Sequence, residues 1–203
     1  MKEKGLLIVI SGPSGAGKGT ICKELMKKGN FWVSVSATTR VPRDGETEGN
    51  SYYFLTKCCF QNQISSGDFL EYALVYGNYY GTPKSKVLEK LEEGIDVILE
   101  IDIQGALKVK DTYPEGIFIF ILPPSMEELK NRIIKRGSET PESLITRFHS
   151  AYKEINYISK YNYAVINDTV ELATEKVKSI MVAEKCRVDR RESKFLEMKE
   201  ELI

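Results

Sequence analysis

The sequence predicts an α/β fold built on a parallel central sheet, and three observations predict it. Short apolar runs of strand length recur at residues 5–11, 96–101, 117–122 and 163–167. Segments of helical pattern separate them. A glycine-rich turn follows the first run and leads straight into a helix.

The first run, Gly-Leu-Leu-Ile-Val-Ile-Ser at residues 5–11, is continuously apolar. Such runs suit a parallel strand covered on both faces. A helix is expected from about Thr20. Between residues 31 and 80 the texture changes to Ser, Thr, Tyr and Gly with shorter alternating segments, which implies a small lobe inserted into the sheet. Two helix starts are well marked further on: Ser125 with Glu128 forms a capping box, and Thr140-Pro141-Glu142 sets a cap, a first-turn proline and a first-turn acid in order. Gly137 would close the first of these helices. Residues 186–203 are highly charged with scattered apolar side chains, as in a helical extension or frayed tail.

A length of 203 residues favours one domain with an inserted lobe. The 29 basic and 29 acidic side chains cancel, so bulk charge names no partner and nucleic acid is not expected. Anions would have to be held by local clusters of Lys and Arg. The four cysteines, Cys22, Cys58, Cys59 and Cys186, form no CxxC pair and have no histidine at metal-ligand spacing, which argues against a zinc site. No signal-peptide pattern and no run of membrane-spanning length is present, so a cytoplasmic protein with reduced thiols and no membrane partner is expected. His149, the one histidine, lies in a charged helical segment and reads as a solvated or partly packed imidazole rather than a catalytic base.

Gly12-Pro13-Ser14-Gly15-Ala16-Gly17-Lys18 fits GxxxxGK directly between a buried strand and a helix. The glycines let successive N–H groups turn toward one anion, the helix N-terminus adds partial positive charge, and Lys18 can reach terminal phosphates. A plain Gly-rich turn with a solvated lysine is the weaker reading in that context. Gly19 stands where Ser or Thr would normally offer a hydroxyl to Mg²⁺, and Thr20 follows it as the candidate ligand, directly or through water. Lys-Gly-Thr also resembles the loop of adenylate kinases. The segment therefore indicates phosphoryl transfer without naming the acceptor.

The acceptor side supplies further signals. Ser34-Val35-Ser36-Ala37-Thr38-Thr39-Arg40 and Pro42-Arg43 place two guanidinium forks and several hydroxyls in a loop-rich segment. Tyr52, then Glu71, then Gly77-Asn78-Tyr79-Tyr80-Gly81-Thr82 follow, with Glu100-Ile101-Asp102-Ile103-Gln104-Gly105 at a strand end. Together with the phosphate loop these residues resemble the guanylate kinases from about residue 5 to 185. The resemblance implies a three-layer P-loop NTPase fold: a core at about 5–33, 83–124 and 160–185, a GMP-binding lobe at about 34–82, a helical lid at about 125–159, and the tail 186–203 beyond. It implies that Arg40, Arg43, Tyr52 and Tyr80 hold the GMP phosphate, that Ser36, Glu71 and Thr82 hold guanine, and that Asp102 and Glu100 lie near acceptor and metal. A strand-end acid capping the next helix is the bland alternative, nearly as good for Glu100.

Arg132 and Arg136 are spaced i,i+4 on the helix after Ser125 and project from one face, where a shared anion would relieve their repulsion. With Arg147 they match the family's lid arginines, and Asn167 at a strand end matches a contact to the ATP base or ribose. The resemblance thus implies an enzyme that moves the γ-phosphoryl group of ATP, bound with Mg²⁺, onto GMP, with dGMP as a further acceptor. The rival is a non-catalytic guanylate-kinase-like module that binds phosphopeptides. Its mark would be a degraded phosphate loop or missing lid arginines, and Lys18, Arg132, Arg136 and Arg147 are all present.

Overall fold

A computed structural model describes residues 3–29, 31–135 and 141–190, with side chains of 141–147 excepted. The four apolar runs become β1 (Leu7–Ser11), β7 (Asp96–Glu100), β8 (Ile117–Leu122) and β9 (Tyr163–Ile166), and β2 (Phe31–Val33) completes a five-stranded parallel sheet. Its order is β2-β7-β1-β8-β9, so β1 is central.

Both faces of β1 are buried, for the reason its composition gave. Ile8 and Ile10 point into a core with Ile21 and Leu25 of α1 (Lys18–Lys28) and Val177 and Met181 of α7 (Val170–Lys185). Leu7 and Val9 point the other way, toward Val87 and Leu91 of α3 (Lys84–Glu92) and Val109 of α4 (Ile103–Thr112). Helices thus cover the sheet on both sides, and the fold is three-layered. Each buried aliphatic side chain contributes on the order of 1.5–3 kcal/mol by leaving water.

Residues 37–83 build a second sheet of β3 (Ala37–Thr38), β4 (Tyr53–Phe54), β5 (Phe69–Val75) and β6 (Asn78–Pro83), in the order β4-β3-β6-β5. β5 and β6 form an antiparallel hairpin. Its turn, Tyr76-Gly77, has φ of 48° and 80°. Stacked Phe60, Phe69 and Tyr79 fix α2 (Lys57–Ser65) to this sheet. Beyond β8, α5 (Met126–Lys135) and α6 (Pro141–Ile155) pack through Leu129, Ile133 and Ala151.

The first helix begins two residues before the expected Thr20. Gly17, at φ 94°, takes the cap position with no side-chain cap, and the helical turn can start at Lys18. Ser125 caps as its spacing implied: its Oγ accepts the Glu128 N–H at 3.0 Å. The Glu128 carboxylate, however, turns to Arg132 at 2.8 Å rather than back to the cap. Gly137 and Thr140 lie outside the described residues, as does the tail beyond 190. Residues 188–190 are helical. His149 is exposed, as expected.

Candidate active site

The C-terminal ends of β1 and β7 open on one cleft of about 390 Å³. The chain leaves Ser11 into the phosphate loop, where backbone crowding dictates the glycines. A Cβ on Gly12, at φ 138°, would lie 2.3 Å from the Ile121 carbonyl oxygen, and one on Gly17 would lie 2.3 Å from Asn167 Nδ2. Side chains are excluded there. The α1 N-terminus faces this loop without a side-chain cap, so its first N–H groups are placed for an anion. Lys18 Nζ donates to the carbonyls of Gly12 and Pro13 at 2.6 and 3.1 Å, tying the loop to its own helix.

Asn167 braces the loop from beneath. It is buried, its Nδ2 donates to the Ala16 carbonyl at 2.8 Å, and its own carbonyl accepts from Arg132 Nη2 at 3.3 Å. The position read from sequence as a nucleotide contact is therefore also a structural strut. Glu154 of α6 enters the same end of the cleft, where the Ser14 N–H donates to its carboxylate. Burial raises the Glu154 pKa, with the Lys18 charge opposing it.

At the other end Glu71 of β5 is 6% exposed and accepts the Thr82 hydroxyl at 2.7 Å. Burial raises its pKa to about 7; the Thr82 hydrogen bond and Lys108 pull it down, and Asp102 pushes it further up. The carboxylate lies against the first turn of α4, where a Cβ on Gly105 would stand 2.6 Å from Oε2. Asp102, and not Glu100, is the acid that caps this helix, accepting the Gly105 N–H at 2.9 Å. Its pKa is raised, chiefly by burial.

A third group is preassembled around Arg40. Its Nη2 donates to both Glu46 oxygens at 2.8 and 2.9 Å, its Nε donates to the Tyr80 hydroxyl at 3.2 Å, and its guanidinium lies 5.4 Å from the Tyr52 ring. Glu46 also accepts the Arg43 N–H at 2.8 Å, and Arg40 holds its pKa below the usual carboxylate range. The Glu46 role was absent from the sequence reading.

Of the residues singled out from sequence, Gly12, Ser14, Gly15, Gly17, Lys18 and Gly19 line the end of the cleft at the phosphate loop. Ser36, Arg43, Tyr52, Glu71 and Tyr80 also line it, and Glu100 and Asp102 face the same cleft. Thr82, Asn167 and Arg40 support these walls from behind through the bonds given above, while Pro13 and Ala16 shape the loop backbone. Thr20 is exposed on α1. Arg132 is engaged by Glu128 and Asn167, whereas Arg136 and the Arg147 side chain lie outside the described residues. Sequence reasoning missed Ser150 and Glu154, which line the cleft from α6, and Leu74 and Tyr76 from the β5–β6 hairpin. The i,i+4 spacing of Ser150 and Glu154 was the available signal.

The arrangement gives one polar cleft with an uncapped, glycine-rich helix start and Lys18 among its walls and a buried carboxylate, Glu71, among the others. Comparison with known proteins identifies the family. The family model described as guanylate kinase matches residues 4–184. The chain is 72% identical to the guanylate kinase of Clostridium tetani over 201 residues, covering 99% of this chain and 97% of that one. It is 62% identical to that of Caldanaerobacter subterraneus subsp. tengcongensis over 204 residues, covering 100% and 99%. Among solved structures, the guanylate kinase from Anaplasma phagocytophilum superposes with a TM-score of 0.80 at 34% identity, covering 93% of this chain and 90% of that one.

Proposed function

This chain belongs to the guanylate kinase family, and from that membership and its cleft we propose how it moves the γ-phosphoryl group of ATP onto GMP. The observation that carries the reading is buried Glu71, backed by Thr82, facing the same cleft as the phosphate loop. Guanine presents N1–H and its 2-amino group as adjacent donors, and an ionised carboxylate is an acceptor-only pair that takes both. Thr82 donates to one Glu71 oxygen and holds the carboxylate in place, and Ser36 offers a further hydroxyl.

Residues 34–82 act in this reading as the GMP-binding lobe. Arg43, Tyr52 and Tyr80 take the GMP phosphate, with Arg40 fixed behind them by Glu46, and Asp102 borders the acceptor. Gly12 to Thr20 receive the ATP phosphates, Lys18 supplies positive charge, and Asn167 keeps the loop in shape. Residues 125–159 act as the lid, whose Arg132, Arg136 and Arg147 neutralise charge on the migrating group. The GMP phosphate oxygen is already anionic and is itself the nucleophile, so alignment and charge suffice without a general base.

The residues fit a Mg²⁺ carried with ATP. Oxygen ligands suit that ion, and the Glu100 carboxylate lies 3.1 Å from where a side chain on Gly19 would begin. A carboxylate thus borders the space that a hydroxyl at residue 19 would use. Glu100 would hold the ion, directly or through water, whereas Thr20, the ligand expected from sequence, is exposed on α1 and does not line the cleft. When bound, it draws charge from the donor phosphates.

A coupled assay for ADP formation with GMP, dGMP and AMP tests the reading. Sites built on such polar pairing reject the wrong substrate by about 10⁴-fold, so GMP should exceed AMP by that order in kcat/KM. Glu71→Gln should cut GMP use and relax the ratio. An unchanged ratio would mean that Glu71 does not read the base.

A further inference from the structure

α4 presents three unlike features to β5, spaced three residues apart on one helix face. Asp102 at the cap is acidic, Gly105 leaves bare backbone against the Glu71 carboxylate, and Lys108 is basic. The Lys108 ammonium donates to the Tyr72 carbonyl and lies 4.7 Å from the centre of the Tyr72 ring. Tyr72 is the residue next to Glu71. One side chain therefore fastens the helix to the strand and brings a positive charge to the base pocket.

We propose that Lys108 is a positioning residue for base recognition: it clamps β5 to α4 and sets a positive charge against Asp102 beside Glu71. The inference rests on the reading of Glu71 as the group that binds guanine. The charged groups acting on Glu71 are Asp102 and Lys108, both from the α4 side, while β6 adds the Thr82 hydroxyl and N–H. Burial alone favours the neutral acid, which cannot accept two hydrogen bonds from guanine at both oxygens. Lys108 works in the opposite direction.

With a pKa of about 7, roughly half of the Glu71 side chains are charged at pH 7. Loss of Lys108 would raise it further and leave fewer of them charged, so GMP would bind more weakly at pH 7.

The test is GMP binding by calorimetry from pH 6 to 9 on wild type, Lys108→Met, Lys108→Arg and Glu71→Gln, with Lys108→Gln as a second neutral variant should Met disturb folding. Ionisation of the GMP phosphate is common to all and cancels. Lys108→Met should weaken GMP about twofold at pH 7 and approach wild type by pH 9, and Lys108→Arg should restore the wild-type profile. Equal weakening at every pH would reduce Lys108 to a structural tie and overturn the proposal, as would an unchanged profile. The underlying reading separates cleanly. If Glu71→Gln keeps wild-type affinity and pH profile, guanine is not read by Glu71 and both ideas fall. If Glu71→Gln leaves only the pH dependence of the GMP phosphate while Lys108→Met keeps the wild-type profile, only the role of Lys108 is lost.

Discussion

Replacing Glu71 by Gln should stabilise the ligand-free protein, and the gain should depend on pH. Glu71 is 6% exposed, and its pKa rises from 4.5 to about 7 on folding. The sign follows from proton counting. Between those two values the folded state binds the proton that the unfolded state has released, so stability is full below about 4.5 and is lost as pH rises through about 7. A difference of about 2.5 units at about 1.36 kcal/mol each amounts to about 3 kcal/mol. Glutamine does not titrate and keeps an oxygen to accept from Thr82. Glu71→Gln should therefore match wild type near pH 4.5 and exceed it by about 3 kcal/mol at pH 8. Urea unfolding followed by Trp32, the single tryptophan, at a series of pH values measures this directly. Parallel stability curves for the two proteins would refute the reasoning.

Lys18→Ala should lower kcat by about 10²-fold or more while GMP affinity stays within about twofold, because Lys18 belongs to the donor loop; near-normal turnover would contradict that assignment. Arg132→Ala should reduce kcat more than it weakens GMP, as a contact made chiefly in the closed transition state acts on the barrier, and steady-state kinetics beside a GMP titration separate the two. Asn167→Ala removes the donor to the Ala16 carbonyl and should weaken ATP about tenfold, which corresponds to about 1.4 kcal/mol. An unchanged ATP Kd in that variant would mean that the loop holds its shape without the strut.

β1, β7 and β8 were legible because burial on both faces leaves no polar alternation to disguise them, as Leu7, Ile8, Val9 and Ile10 illustrate, whereas the short, half-buried β2 was not. The phosphate loop was legible because its glycines answer a steric demand that other residues cannot meet, seen at Gly12 and Gly17. Ser125 was recognised by a fixed local offset. What escaped were contacts with no local period. Glu46 grips Arg40 within an irregular segment, where no alternation says which side chains face each other. Asp102 was read as bordering the ligand and also proved to be the cap of α4, because the register between strand end and helix start was ambiguous by two residues. Lys108 reaches β5 from 36 residues away, and its neighbours on the helix give no sign of it.

The brace beneath the phosphate loop also sets an order in time. Ala16 and Asn167 are 151 positions apart, and β1 lies between β7 and β8, neither of which exists when residues 7–18 leave the ribosome. A nascent chain that stops short of β9 carries every residue of the loop without the amide that fixes its shape. Affinity for ATP should therefore reach its full value late, rising about tenfold once Asn167 has docked beneath the loop. Such long-range closure slows folding relative to locally wired proteins.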